Sequence, residues 1–162
     1  MRRHITASWS DPAALAEAGR TMSGMEFLQA IREGRLPAPP IAELLGFKLV
    51  EVDTGRAVFE VLPGEQHYNP IGVVHGGLAM TLLDSAMGCA VHSHMPAGGG
   101  YTTLEAKTNL VRPVTSKTGL LRAIGKVLHL GSRVATAEGR LVDGDGKVYA
   151  HATTTCIILG RR

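Results

Sequence analysis

Residues 76 to 94, "GGLAMTLLDSAMGCAVHSH", constrain this chain more than any other stretch. Leu78, Met80, Leu82, Leu83, Ala86, Met87, Ala90 and Val91 cover nearly every side of a helix there, which begins near His75 or Gly76. A helix that is apolar almost all round is a buried one, so other elements must wrap it. Downstream, the runs 101 to 112, 118 to 129, 132 to 142 and 147 to 159 are strand-like, and "RPVTSK", "HLGS" and "VDGDGK" at their junctions carry turn chemistry. Upstream, "KLVEVDTGRAVFEVLP" (48 to 63) reads as a hairpin turning at Asp53-Thr54-Gly55. Short connections imply antiparallel neighbours. The predicted order is hairpin, long helix, four-stranded meander: an α+β fold with one antiparallel sheet curved around one central helix.

The remaining chain is read as an appendage to that body. "SDPAALAEAGRTM" predicts a short helix capped by Ser10 or Asp11 with Pro12 in its first turn. Met25, Phe27, Leu28 and Ile31 form an apolar stripe at helical spacing, stopped at Gly34. "LPAPP" (36 to 40) is a stiff linker, because proline fixes φ and lacks a donor. The expected organisation is a tail with a short helix over 1 to 40 and one domain over 41 to 162. A short helical turn at 41 to 47 ends on Gly46.

Composition excludes several functions. Net charge is +3, and the basic residues are scattered rather than clustered. With aromatics at 4 %, nothing supplies the stacking platform and basic face of a nucleic-acid binder. Cys89 and Cys156 lie in apolar runs with no disulfide or zinc spacing, so a cytoplasmic, reducing setting is expected. The start of the chain lacks an apolar signal core, and the longest apolar run is broken by glycines, His75 and Asp84, so no membrane segment is expected. His92 and His94 stand two apart, on different faces of a helix, and nothing completes a metal set with them. No metal is expected.

Asp84 is the one acid in the long helix. A carboxylate among apolar neighbours is expected to be buried, with its pKa raised, and poised as a general base or nucleophile. The two glycines of "VVHGGL" stand where a loop enters the helix. First-turn N–H groups lack partners there and the helix dipole is positive, so this end can stabilise an oxyanion. Gly76 and Asp84 are eight residues apart, about 12 Å along the axis. One carbonyl cannot touch both. If both serve one reaction, they come from two copies of the chain in a symmetric dimer.

"HYNPIGVVHGGLAMTLLDSAMG" resembles the signature of the hotdog-fold acyl-CoA thioesterases of the phenylacetic acid degradation (PaaI-like) type. That pattern has an Asn, His-Gly-Gly six residues later, and an acid nine residues after that His; Asn69, His75-Gly76-Gly77 and Asp84 match it. The resemblance covers roughly 41 to 159. It implies a hotdog fold and hydrolysis of aryl- or medium-chain acyl-CoA thioesters to free acid and CoA. Gly76 N–H and Asn69 would hold the thioester oxygen, and Asp84 of a second copy would act as base or nucleophile. His75 would orient Asn69 or the leaving thiolate, and Thr103 would position water, with Thr102 as the alternative. Arg112 and Arg133 are the candidate phosphate ligands, with Lys117 and Lys126 behind them. Val74, Gly77, Thr102, Gly131 and Ser132 complete the substrate-binding set. No cofactor is implied beyond the CoA of the substrate itself. The active unit would be a homodimer, assembled by family habit into a homotetramer. A non-catalytic acyl-CoA-binding module is the competing expectation.

Overall fold

The structure, a computed structural model, describes residues 1–160. Helix α1 spans Pro12–Thr21; Asp11 caps it, its side chain accepting from Ala13 N–H. Helix α2, Gly24–Arg32, starts with a capping box in which Ser23 and Glu26 satisfy each other's free N–H groups. Its Leu28 and Ala30 are buried. Helix α3, Pro40–Leu45, ends on Gly46, whose φ of +69° is the left-handed conformation glycine supplies at a helix end.

Strands β1 (Phe47–Asp53) and β2 (Arg56–Val61) form the expected hairpin, turning through Thr54 and Gly55 with Asp53 opposite Arg56. A loop with one 3-10 turn leads to helix α4, Gly76–His92. Then follow β3 (Gly100–Leu110), β4 (Leu121–Leu130), β5 (Val134–Val142) and β6 (Val148–Leu159). They make one six-stranded antiparallel sheet in the order β1-β2-β4-β5-β6-β3.

That order corrects the four-stranded meander. Of its four strands, β3 to β6, only β4, β5 and β6 are consecutive neighbours; β3 pairs with β6 at the far edge of the sheet. The segment containing "RPVTSK" is a crossover from one edge of the sheet to its middle rather than a hairpin turn. Its turn chemistry is real, since Thr115 and Thr118 bond each other's backbone and side chain, but it closes only a local bend.

The sheet wraps α4. Leu82, Leu83, Ala86, Met87, Ala90 and Val91 are fully enclosed. Two strand glycines let the helix sit close: a Cβ on Gly125 would strike the Ala86 backbone, and one on Gly139 would meet Leu83 and Met87 at 3.0 Å. One stripe of the helix stays open. Met80 is 47 % exposed, although the pattern placed it with the buried residues, and Asp84 is exposed beside it. The outer face of the sheet is polar, with Lys107, Glu138, Arg140, His151 and Thr153 pointing outward. Hydrophobic burial gives that face no reason to be covered.

Helix α2 covers β1 and the far end of α4. Gly24 N–H donates to Met95 O, Phe27 meets His92 edge-on at 5.8 Å, and the Tyr101 ring lies 5.7 Å from the same imidazole. Burial holds His92 below its ordinary pKa. His67 is also lowered, by burial against the smaller opposing effect of its bond to Leu45 O. Its Nδ1 accepts from Gly64 N–H, so protonation would set two donors face to face. Both histidines are more easily protonated in the unfolded chain, near pH 6.5. The stability they contribute is complete above that pH and is lost as pH falls toward their folded values. Thermal melts are expected to be level above about pH 7 and to fall below about pH 6, and His92→Phe is expected to flatten part of that acid limb.

Candidate active site

The loop before α4 is shaped by its own sequence. Asn69 Oδ1 accepts from Ile71 N–H and Val73 N–H at 3.1 and 3.2 Å, an Asx turn that Pro70 and Gly72 permit, the glycine at φ +86°. With Oδ1 engaged, the free donors of the amide are on Nδ2. His75 is the N-cap of α4, and its Nδ1 accepts from Gly77 N–H at 2.8 Å. In the neutral imidazole this puts the proton on exposed Nε2. Asn69 is thus oriented by its own loop, and His75 by the helix start.

Gly76 N–H, in the first turn, finds no acceptor among the described residues. It faces a cavity of about 290 Å³ between α4 and the sheet, whose rim includes Asn69, His75, Leu110 and Arg112. Val74 also lines it, with its N–H tied to Val114 O at 2.8 Å. A Cβ on Gly76 would collide with Leu110 Cδ1, so a side chain here would have to displace that leucine from the cavity rim.

Asp84 lies elsewhere. It occupies a separate recess with Met80, Thr81, Ala106 and Thr108, and it is exposed in the single chain rather than buried as expected. The reason is its position on the open stripe of α4, against edge strand β3, where no further element covers it. Thr103 Oγ1 donates to Asp84 Oδ1 at 3.0 Å. Thr102 is exposed and, as a strand neighbour, points to the opposite face. Pairing with β6 slips between Thr103 and Glu105, a bulge at Leu104. The slip turns Ala106, instead of Glu105, toward Asp84, so no second carboxylate crowds the first. Nearby, burial first and the Asp84 charge second push the Cys89 thiol up to about 12, which keeps it protonated and unreactive.

The candidate phosphate ligands are scattered. Arg112 is exposed at the cavity rim, and Lys117 lies on the crossover. Gly131, Ser132 and Arg133 form the β4–β5 turn, at the opposite end of β4 from the cavity-lining Leu121, about 30 Å away at strand rise. Lys126 is on the outer face of β4. A single chain therefore does not gather Arg112 and Arg133 around one ligand. Among the described residues, no group of three His, Cys, Asp or Glu is placed to hold a metal ion, and no helix is long and apolar enough to cross a membrane. The sequence reading did not identify Leu110, Leu121, Leu141 or Tyr149 as cavity residues. The alternation of β4 and β5 could have put Leu121 and Leu141 on the core face, but not beside Gly76.

One antiparallel sheet curved around a long central helix, with an apolar cavity at that helix's N-terminus, is the hotdog class of fold. The thioesterase superfamily model matches residues 71–150. A protein of Saccharolobus solfataricus provisionally named an esterase is 34 % identical over 82 % of this chain and 92 % of its own. The 1,4-dihydroxy-2-naphthoyl-CoA hydrolase of Escherichia coli is 28 % identical over 83 % of this chain and 94 % of its own. A solved structure from Ralstonia eutropha, a phenylacetic acid degradation-related protein provisionally called a thioesterase, aligns at a TM-score of 0.72. It is 30 % identical and covers 80 % of this chain and 98 % of its own. This chain belongs to the thioesterase superfamily and is an enzyme of that thioester-hydrolysing class.

Proposed function

We propose that the chain hydrolyses an aryl- or medium-chain acyl-CoA to the free acid and CoA, with each active site assembled from two copies. The observation that carries this reading is the division of labour along α4. The unpaired Gly76 N–H and the free Asn69 amide donors adjoin one recess, and the Asp84–Thr103 pair occupies another. An antiparallel second copy docking on β3 would bring its Asp84 to the first copy's Gly76. Edge strand β3 has one side unpaired, and half-exposed Met80 and Leu110 flank it, which supports docking there.

In this scheme Gly76 N–H and Asn69 Nδ2 donate to the thioester oxygen and stabilise the charge that develops on it. Asp84 of the second copy removes a proton from water, which attacks the carbonyl carbon, or else attacks that carbon itself. Collapse of the tetrahedral species breaks the C–S bond, and the exposed His75 Nε2–H is available to the departing thiolate. The Thr103 hydroxyl holds Asp84 and the approaching water in register. The reaction needs no resident cofactor. A CoA thioester also fits the Escherichia coli relative, which is named for hydrolysing one.

Thiol release over a panel of aryl and alkyl acyl-CoAs tests the reading; no release from any member would favour a binding module instead. Thr103→Val is expected to lower kcat by roughly 10- to 100-fold, the worth of one hydrogen bond to a charged group, with a smaller change in KM. Unchanged kcat would remove Thr103 from the mechanism.

A further inference from the structure

We infer that His67, which the scheme above does not use, is a positioning residue: its imidazole pins the loop that places the Gly76 and Asn69 donors. The assignment rests on the thioesterase reading above. His67 is only 8 % exposed, and a buried imidazole needs a partner for each ring nitrogen. Both partners are present. Nδ1 accepts from Gly64 N–H at 3.0 Å, and Nε2 stands 3.1 Å from Leu45 O. An amide N–H can only donate and a carbonyl can only accept, so the ring is neutral with its proton on Nε2. The side chain thus ties the end of α3, 22 residues upstream, to the loop before α4.

The backbone of the same residue reaches the helix start. His67 O accepts from His75 N–H at 2.7 Å, and His75 is the residue before Gly76. Tyr68 bridges Val74, and Asn69 N–H donates to Val73 O at 2.8 Å. Residues 67 to 69 and 73 to 75 are therefore the two arms of a short antiparallel ladder. Asn69 sits where the first arm ends, and Gly76 follows the second. The second arm has its own anchor, Val74 N–H to Val114 O at 2.8 Å. The first arm is anchored through the His67 ring. A shift of residue 67 passes to Gly76 through one hydrogen bond and to Asn69 along two residues of chain. Oxyanion donors act only within a few tenths of an ångström of their working distance, and a misplacement of about 1 Å can cost on the order of 100-fold in rate.

The test compares His67→Leu, His67→Gln and His67→Asn in the full chain, at a temperature well below every variant's melting point. The substrate is the acyl-CoA that the parent cleaves fastest. His67→Leu removes both ties and is expected to lower kcat by about 10- to 100-fold with KM changed less than about threefold. Gln can donate from the place of Nε2 to Leu45 O and is expected to recover most of that loss. Asn can accept only at the place of Nδ1 and is expected to stay at least about tenfold below the parent. A ring that served stability alone would move melting points and leave kcat per folded molecule unchanged. Should His67→Leu fail to fold, His67→Asn against His67→Gln decides. Amide hydrogen exchange supplies a readout without turnover. Peptides covering 73 to 79 are expected to exchange at least about tenfold faster in His67→Asn than in the parent, while the body of α4, 82 to 91, is unchanged. If exchange shifts in this way but the parent cleaves no acyl-CoA, the thioesterase reading falls and the pin on the helix start stands. Parental kcat in His67→Asn or in folded His67→Leu, a loss confined to KM, or unchanged exchange over 73 to 79 overturns the assignment.

Discussion

Asp84→Ala is expected to lower kcat by about 100-fold or more, roughly 2.7 kcal/mol of transition-state stabilisation, which is the usual range for a lost general base. The fold should survive, because Asp84 is exposed and, among the described residues, its one side-chain partner is Thr103. Stability and activity are thereby separable: circular dichroism and melting should match the parent while thiol release falls. Asn69→Ala is expected to be impaired as well, through loss of an oxyanion donor. Co-expressing or refolding the two variants together is the sharper measurement. A hybrid dimer has one site with an intact Asn69 from one copy and an intact Asp84 from the other, and one site missing both. Random mixing makes half the dimers hybrid, so about a quarter of parental activity should return if the sites cross the two-fold. Activity that stays at the level of the two variants alone would mean both groups act within one chain.

Gly76→Pro is expected to reduce kcat by about 100- to 1,000-fold, the cost of removing one oxyanion donor. This substitution deletes the N–H with little effect on the helix. Gly76 is the first helical position, where proline is well tolerated. His75 before it is already extended, at φ −60° and ψ 132°, as a residue preceding proline must be. Gly76 N–H has no acceptor among the described residues, so no structural bond is lost. The new ring displaces Leu110, but that side chain is half exposed and free to swing. Gly76→Ala is the matched control, since it displaces Leu110 and keeps the N–H. If both variants lose activity equally, crowding by Leu110 rather than the missing donor is responsible, and the oxyanion role of Gly76 fails.

Much of this molecule was legible in local pattern. The extent of α4, a polar cap at Ser10 or Asp11 before Pro12, the stop at Gly46 and the turn at Asp53-Thr54-Gly55 all follow from side-chain periodicity and from backbone angles that a few residues set by themselves. The apolar girth of α4 was enough to require a sheet around it. The glycine pair at the start of α4 and the lone Asp84 pointed to the candidate chemistry, the family resemblance added Asn69, and helix rise alone showed that one carbonyl cannot reach both Gly76 and Asp84.

Three things were decided only by tertiary structure. The first is the place of β3: strand pairing is a contact between distant segments, and turn residues at 112 to 117 look the same whether they join neighbours or begin a crossover. The second is the exposure of Asp84. Apolar neighbours in sequence say that a helix is buried but not which stripe is left open, and here the open stripe faces an edge strand. The third is the choice of Thr103 over Thr102, together with the turning away of Glu105. Both depend on a one-residue slip at Leu104, and because strand side chains alternate, such a slip reverses every face beyond it. Local sequence thus set the elements and pointed to candidate reactive groups, while the partners and surroundings of those groups came from contacts the chain makes only once folded.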